Sequence, residues 1–327
     1  MVCSLDSMKR SAKIYVADND GLVGREIFAE LKRAGYEYLL GEQDSPKVAD
    51  AVEVDEYFAR NLPGYVFLIG GRTGGITANQ RYPADLMRDN LLVNCHVLES
   101  AHRHGVQKLL YLASSCVYPK FSEQPMKVEY LTTGKLEPTN EPYAIAKLAG
   151  LFLCGAYRRQ FGTQMITAIP ANVFGPGDDF SPEDSHVIGA LMRRMHEAKT
   201  GGDAHVEIWG SGLPRREFIF SQDLAHACLF LMDVYDGEEP INIGVGCDWS
   251  IREIAEMIRD VVGYTGELTF DQSKPDGMPA KLLDSSHLAQ MGWKPRTSIR
   301  PALMLTYEWF LKHCCDAKGK ADDREIL

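Results

Sequence analysis

Short apolar runs alternate with longer amphipathic stretches through the first half of the chain. Residues 13–17, 65–69, 108–113 and 165–169 are nearly continuous in apolar side chains and are bounded by glycine, proline or polar clusters, the pattern of strands buried on both faces. Between them, 22–34, about 83–104 and about 143–161 carry helical spacing. Pro83 opens the second of these, and Gly105 and Gly162 stop the second and third. Strands alternating with helices specify βαβ units, and so an α/β fold with a Rossmann-type doubly wound parallel sheet covered by helices on both faces.

After residue 170 the pattern loosens, and glycine and proline crowd 174–179 and 210–214. A helix over 250–262 opens on Ser250 and Glu253, a capping box, with Ile251, Ile254, Ala255 and Ile258 on one face. Another is expected over 298–313. The organisation predicted is a dinucleotide-binding unit over 13–170 and a smaller C-terminal substrate-binding lobe over 171–315. Residues 221–234 are apolar enough to cover the sheet, so part of 210–245 is expected to return to it. Residues 1–12 and 316–327 read as loose tails.

Composition narrows the function classes. The 327 residues hold 35 Lys plus Arg against 45 Asp plus Glu, a net charge of −10 that argues against a nucleic-acid partner. No apolar run reaches the length of a membrane span, and the start lacks a signal-peptide core. The 8 cysteines are scattered, with no C-x-x-C pair, which suits a reducing, cytoplasmic setting and gives no metal-ligand spacing.

Three stretches carry chemistry. In the turn after the first strand, Gly21 and Gly24 fit the second and third glycines of a dinucleotide fingerprint, with Leu22 and Val23 between them. Asp18 stands at the first position. Tyr143 and Lys147 lie one helical turn apart, so the lysine can lower the phenol's pKa and hold a ribose hydroxyl while the tyrosine donates a proton to a carbonyl receiving hydride. Ser114 follows a strand, at the edge where open α/β sheets bind ligands. Taken singly, each has a bland reading: a polar loop, a solvated helix face. Strand, serine and Y-x-x-x-K in this order form a far more specific signal together.

The segments GGITANQRYP (74–83), SSCVYP (114–119), LEPTNEPYAIAK (136–147), 185–188, 209–218 and SKPDG (273–277) resemble the extended short-chain dehydrogenase/reductase family, and within it the branch of GDP-sugar epimerase–reductases; the likeness runs from Lys13 to about Lys312. The resemblance implies conversion of GDP-4-keto-6-deoxy-D-mannose to GDP-L-fucose, by epimerisation at C3 and C5 and nicotinamide-dependent reduction at C4. It places the reductase triad on Ser114, Tyr143 and Lys147 and the epimerising pair on Cys116 and His186. Arg194, Arg216 and Lys281 fall on the substrate side, and Asn172 in a loop flanking cofactor and substrate. Trp209 and the Arg215–Arg216 pair suit a base and a diphosphate, the alternative being a strand edge with solvated arginines. It also implies a homodimer, with the helices near 83–104 and 143–161 pairing across the interface. From the residues alone, Cys116 also reads as a small buried hydrophobe and His186 as a loop or helix-cap histidine.

The cofactor loops depart from the family pattern. Asp18 and Asp20 replace a glycine and an arginine of the turn, and Glu42 and Asp44 follow the second strand where the family carries basic residues. The resemblance implies NADPH. The acidic side chains favour NADH, because they accept hydrogen bonds from ribose hydroxyls and repel a 2′-phosphate. Two rival readings follow: a reductase, dehydrogenase or epimerase of another GDP-sugar, and a non-catalytic nucleotide-sensing homologue. The intact set of five catalytic residues argues against the second.

Overall fold

The computed structural model describes residues 7–17, 21–42, 44–182 and 185–315. The first apolar run becomes strand β1 (Ile14–Ala17), every residue of it buried. Helix α1 (Leu22–Arg33) follows, then β2 (Leu39–Leu40), α2 (Ala51–Asn61), β3 (Tyr65–Leu68), α3 (Ile76–Arg81), α4 (Pro83–Arg103), β4 (Lys108–Leu112), α5 (Glu141–Phe161) and β5 (Met165–Pro170). Beyond these come β6 (Asn172–Phe174), α6 (Val187–Gly201), β7 (His205–Trp209), β8 (Arg215–Arg216), β9 (Phe218–Phe220), α7 (Ser221–Val234) and β10 (Ile241–Ile243). The last elements are β11 (Trp249–Ser250), α8 (Ile251–Val262), β12 (Glu267–Asp271), β13 (Ala280–Lys281), α9 (Ser286–Gln290) and α10 (Ile299–Phe310).

Six strands form one parallel sheet in the order β2–β1–β3–β4–β5–β10. The chain leaves β1 toward β2 and then returns to the other side of β1 for β3. This reversal opens a crevice beyond the carboxyl ends of β1 and β3, where such sheets bind ligands. Helix α1 packs with α7, and α2, α4 and α5 pack together, so the strands' apolar side chains are covered on both faces.

A second apolar cluster is built from α6, α8 and α10 with the parallel pairs β7–β12 and β6–β9. Its helix α8 carries the capping box that Ser250 and Glu253 predict, with both reciprocal hydrogen bonds present. A three-stranded sheet, β11–β8–β13, lies alongside and sets Lys281 in register with Arg216.

Two differences from the sequence expectations concern the ends of the chain. Residues 7–12 do not form a loose start: Met8 is buried, its amide donates to Asp233, and the Lys9 amide donates to the Tyr65 hydroxyl. The C-terminal helix ends at Phe310 and continues as a wider turn over Leu311–Cys315. Residues 1–6 and 316–327, expected to be loose, lie outside the described residues. No helix of the described residues is long and apolar enough to cross a membrane.

Candidate active site

The ends of β1, β3, β4 and β5 open into a cavity of about 1060 Å³ that extends under β6, α6, β7 and β8. Gly21, Leu22 and Val23 line it at the start of α1. Gly21 has ordinary extended backbone, and nothing lies within 4 Å of where a Cβ would sit. The open space there faces a helix N-terminus, which suits a phosphate. Asp18 and Asp20 lie outside the described residues. Beyond β3, Gly70 and Gly71 adopt left-handed backbone (φ 56° and 92°), and a Cβ on Gly71 would come within 2.3 Å of the buried Asn90 side chain. Gly21 therefore presents bare backbone to the cavity, and Gly71, packed on Asn90, lines it from the end of β3, a cradle that fits a dinucleotide.

Ser114 caps a 3-10 turn over Ser115–Val117, its hydroxyl accepting from the Cys116 amide at 3.3 Å. That turn sets Cys116 beside Ser114 at the end of β4. Tyr143 faces the same hydroxyl from α5. Burial pushes its phenol well up, the Cys116 charge adds to the rise, and the Ser114 hydrogen bond opposes it.

Lys147 lines the same cavity from α5. It is 1% exposed, and its ammonium donates to three backbone carbonyls: Gly70 at 2.7 Å, Ile69 at 3.0 Å and Leu112 at 3.1 Å. In this state Lys147 ties the ends of β3 and β4 together.

Beside Ser114, the Cys116 sulfur receives N–H donors from Asn140 at 3.1 Å and Lys281 at 3.2 Å. Burial alone raises the thiol's pKa. The Lys281 charge, hydrogen bonds from Ser114 and Lys281, and the Arg216 charge outweigh it and hold the thiol below its ordinary value. His186 is the N-cap residue of α6. Its ring opens to the cavity yet is crowded by protein atoms, and this burial lowers its pKa. The Asp179 charge opposes that shift and the Lys281 charge reinforces it.

The substrate-side residues converge on the same cavity. Trp209, 46% exposed at the end of β7, has the Arg194 guanidinium 5.8 Å from its ring centroid and the Lys274 ammonium 5.2 Å from it. Arg194 is anchored on the Glu207 carbonyl at 3.0 Å. Arg216 donates to the Asp276 carbonyl at 3.2 Å, and the Asp276 carboxylate accepts from the Ser211 amide and hydroxyl, which binds the 209–213 and 273–277 loops together. Asn172 lies on β6 at the cavity wall.

Glu42 is not brought to the cavity; it is exposed and ion-paired with Lys32 at 2.8 Å, while Asp44 meets Arg60 at 3.4 Å. Two further residues also line the site. Asn140 stands three positions before Tyr143, in a segment already marked by resemblance. Arg25, on the first turn of α1, reaches across to the Gly177 carbonyl.

Residues 14–244, which hold this sheet, the Gly21 turn and Ser114, Tyr143 and Lys147, are matched by the family model of NAD dependent epimerases/dehydratases. The chain belongs to the NAD dependent epimerase/dehydratase family. Within this family it is 50% identical over 311 residues to GDP-L-fucose synthase 1 of Arabidopsis thaliana, covering 94% of this chain and 95% of that protein. It is 43% identical to the GDP-L-fucose synthase of Escherichia coli, covering 92% and 97%. Among solved structures, a GDP-L-fucose synthetase from Naegleria fowleri bound to NADP superposes with a TM-score of 0.86 at 28% identity, covering 94% and 96%. A GDP-mannoheptose C4 reductase from Campylobacter jejuni with NADP bound gives 0.84 at 32%, covering 93% and 99%. A nicotinamide dinucleotide is the cofactor such a family member uses.

Proposed function

We propose that this protein converts GDP-4-keto-6-deoxymannose to GDP-L-fucose by C3/C5 epimerisation followed by C4 reduction. The observation that carries the reading is the meeting of two chemistries in one cavity: Ser114 with Tyr143, and Cys116 with His186.

A 4-keto group acidifies the protons on C3 and C5, and inverting each carbon needs a base on one face and an acid on the other. Cys116, held below its ordinary pKa, is the base: the proton passes to sulfur and the C–H electron pair into an enolate. His186 returns a proton from the opposite face. The imidazolium fraction falls as pH rises, and the lowered pKa of His186 moves that fall to lower pH, so epimerisation should decline on the alkaline side through loss of His186 imidazolium and on the acid side through protonation of Cys116.

The reduced nicotinamide dinucleotide supplies hydride for C4. The turn at Gly21, the Gly70–Gly71 loop and Asn172 would hold it. Tyr143, whose raised pKa keeps it protonated, donates its proton to the C4 oxygen, and Ser114 hydrogen-bonds the developing oxyanion. Lys147 keeps the backbone at Gly70 and Leu112 in place beneath it. Arg216 adds positive charge for a diphosphate, and Trp209, with Arg194, offers a stacking face for a base. Loss of reduced-nicotinamide absorbance on adding GDP-4-keto-6-deoxymannose tests the reading, and no consumption with either cofactor would refute it.

Cofactor choice follows from charge at the rim. Glu42 and Asp44 follow β2 outside the cavity lining and are paired with Lys32 and Arg60, so we propose only a modest bias toward NADH and no strong preference for NADPH. Direct titration with both cofactors checks this; NADPH binding tenfold tighter would refute it. For the assembly, Ile145, Phe152 and Phe161 leave apolar surface exposed on α5. We propose that α4 and α5 pair with their copies in a homodimer, which a mass measurement in solution tests.

A further inference from the structure

We infer that Lys281 holds Cys116 as a thiolate in the resting protein through a buried ammonium–sulfur contact, acting as a positioning residue for the epimerising base. The consequence for catalysis rests on the proposed function; the ion pair itself does not.

The sulfur takes two N–H donors, Asn140 Nδ2 at 3.1 Å and Lys281 Nζ at 3.2 Å. A neutral thiol is a weak acceptor, whereas a thiolate accepts several donors strongly. Lys281 is 7% exposed, and its other hydrogen-bond partner is the Ser115 hydroxyl at 3.4 Å. Among the described residues no carboxylate lies within ion-pair distance of it. A buried ammonium without a carboxylate needs another anion, and the Cys116 sulfur is the group placed to supply that charge.

The lysine is fixed where it is. Strand β13 sets it in register with Arg216 of β8. Two residues on, the Leu283 amide donates at 2.9 Å to Glu217, a buried carboxylate that also accepts from the Val245 and Gly246 amides. The remaining ionisable groups around the sulfur are Arg216, which favours the anion, and Tyr143, which stays neutral. Two carboxylates, Glu137 and Asp276, act on Arg216; Glu137 is paired with Lys120 at 3.0 Å and the Asp276 carboxylate accepts from Ser211, while His186 and Asp179 line the same cavity. The balance facing Cys116 is therefore cationic. When a substrate proton passes to sulfur, Lys281 keeps its own three protons and the thiol leaves the ion pair, so the contact stores the base in its reactive form without consuming it.

The test is the pH dependence of Cys116 alkylation by iodoacetamide, read on the Cys116 peptide by mass spectrometry so that the other cysteines do not interfere. In the unmodified protein the rate should inflect below the ordinary thiol value of about 8.5. In Lys281→Met the inflection should rise by about one pH unit or more, a tenfold loss of thiolate at pH values below it, and Lys281→Arg should restore it. An inflection at or above the ordinary value in the unmodified protein overturns the inference without any variant. So does an unchanged inflection in a folded Lys281→Met protein. If the shift is found but Cys116→Ser still exchanges C3 and C5 protons with solvent, the ion pair stands and the assignment of the base falls.

Discussion

Replacing Lys147 by methionine isolates a structural debt that the Ser–Tyr–Lys pattern does not show. Methionine keeps most of the buried aliphatic stem and deletes the ammonium. Three carbonyls, those of Ile69, Gly70 and Leu112, then lose a charged donor at 2.7–3.1 Å. A hydrogen bond to a charged group contributes about 1.5–3 kcal/mol. The full sum is not expected, because the ammonium's own desolvation cost disappears and cavity water reaches some of the freed oxygens. A loss of about 2–4 kcal/mol is the reasonable outcome, which at roughly 2 °C per kcal/mol for a chain of this size lowers the melting temperature by about 4–8 °C. Equilibrium urea unfolding of the cofactor-free protein measures it, with the slope against urea checked for constancy. Tyr143→Phe is the control: it removes one hydroxyl facing Ser114 and should cost less than about 1.5 kcal/mol. If Lys147→Met unfolds within about 0.5 kcal/mol of the unmodified protein, the carbonyl clamp contributes nothing and the reasoning fails.

Tyr143→Phe should lower C4 reduction by about 10²–10⁴-fold, the usual worth of a general acid, with little change in fluorescence-detected cofactor binding. Cys116→Ser and His186→Ala should each suppress solvent deuterium exchange at C3 and C5 more than they weaken cofactor binding, read by NMR of recovered substrate. Asp178 is pushed up to about 7 by burial, reinforced by the Asp179 charge and opposed by the Asp179 amide and Arg25. A carboxyl whose folded pKa exceeds its ordinary value favours the fold below about 4 and loses that contribution as pH rises through 7. Asp178→Asn should therefore raise the melting temperature at pH 8 and leave it nearly unchanged at pH 4; the opposite order would refute the shift.

The central sheet was legible because β1, β3, β4 and β5 are buried on both faces and so are nearly continuous in apolar residues, Lys108 and Thr167 being the exceptions. Helices α4 and α5 are long and end on recognisable stops. Helix α6 was not singled out, although Ile188, Leu191, Met192 and Met195 carry helical spacing; the glycines and prolines before it drew the reading toward a loop. That omission left His186 as a histidine of undefined setting when it is the N-cap of a helix. Strand β7 alternates buried and exposed positions, but β12, its partner, begins some sixty residues on, beyond any local signal. The positions of Ser114, Tyr143 and Cys116 were readable because one strand end and one helix turn carry them. Lys281 lies 165 residues from Cys116, and its contact depends on β13 pairing with β8. The direction of the Lys147 ammonium was hidden for the same reason: its carbonyl partners sit on two other strand ends, and no spacing within α5 encodes them.

The most direct measurement is product analysis by NMR after incubating the protein with GDP-4-keto-6-deoxymannose and a reduced nicotinamide cofactor in heavy water. A bifunctional site predicts GDP-L-fucose carrying deuterium at C3 and C5 and one cofactor-derived hydrogen at C4. A reduced sugar with the original configuration and no deuterium at C3 or C5 would show a simple C4 reductase and contradict the role given to Cys116 and His186.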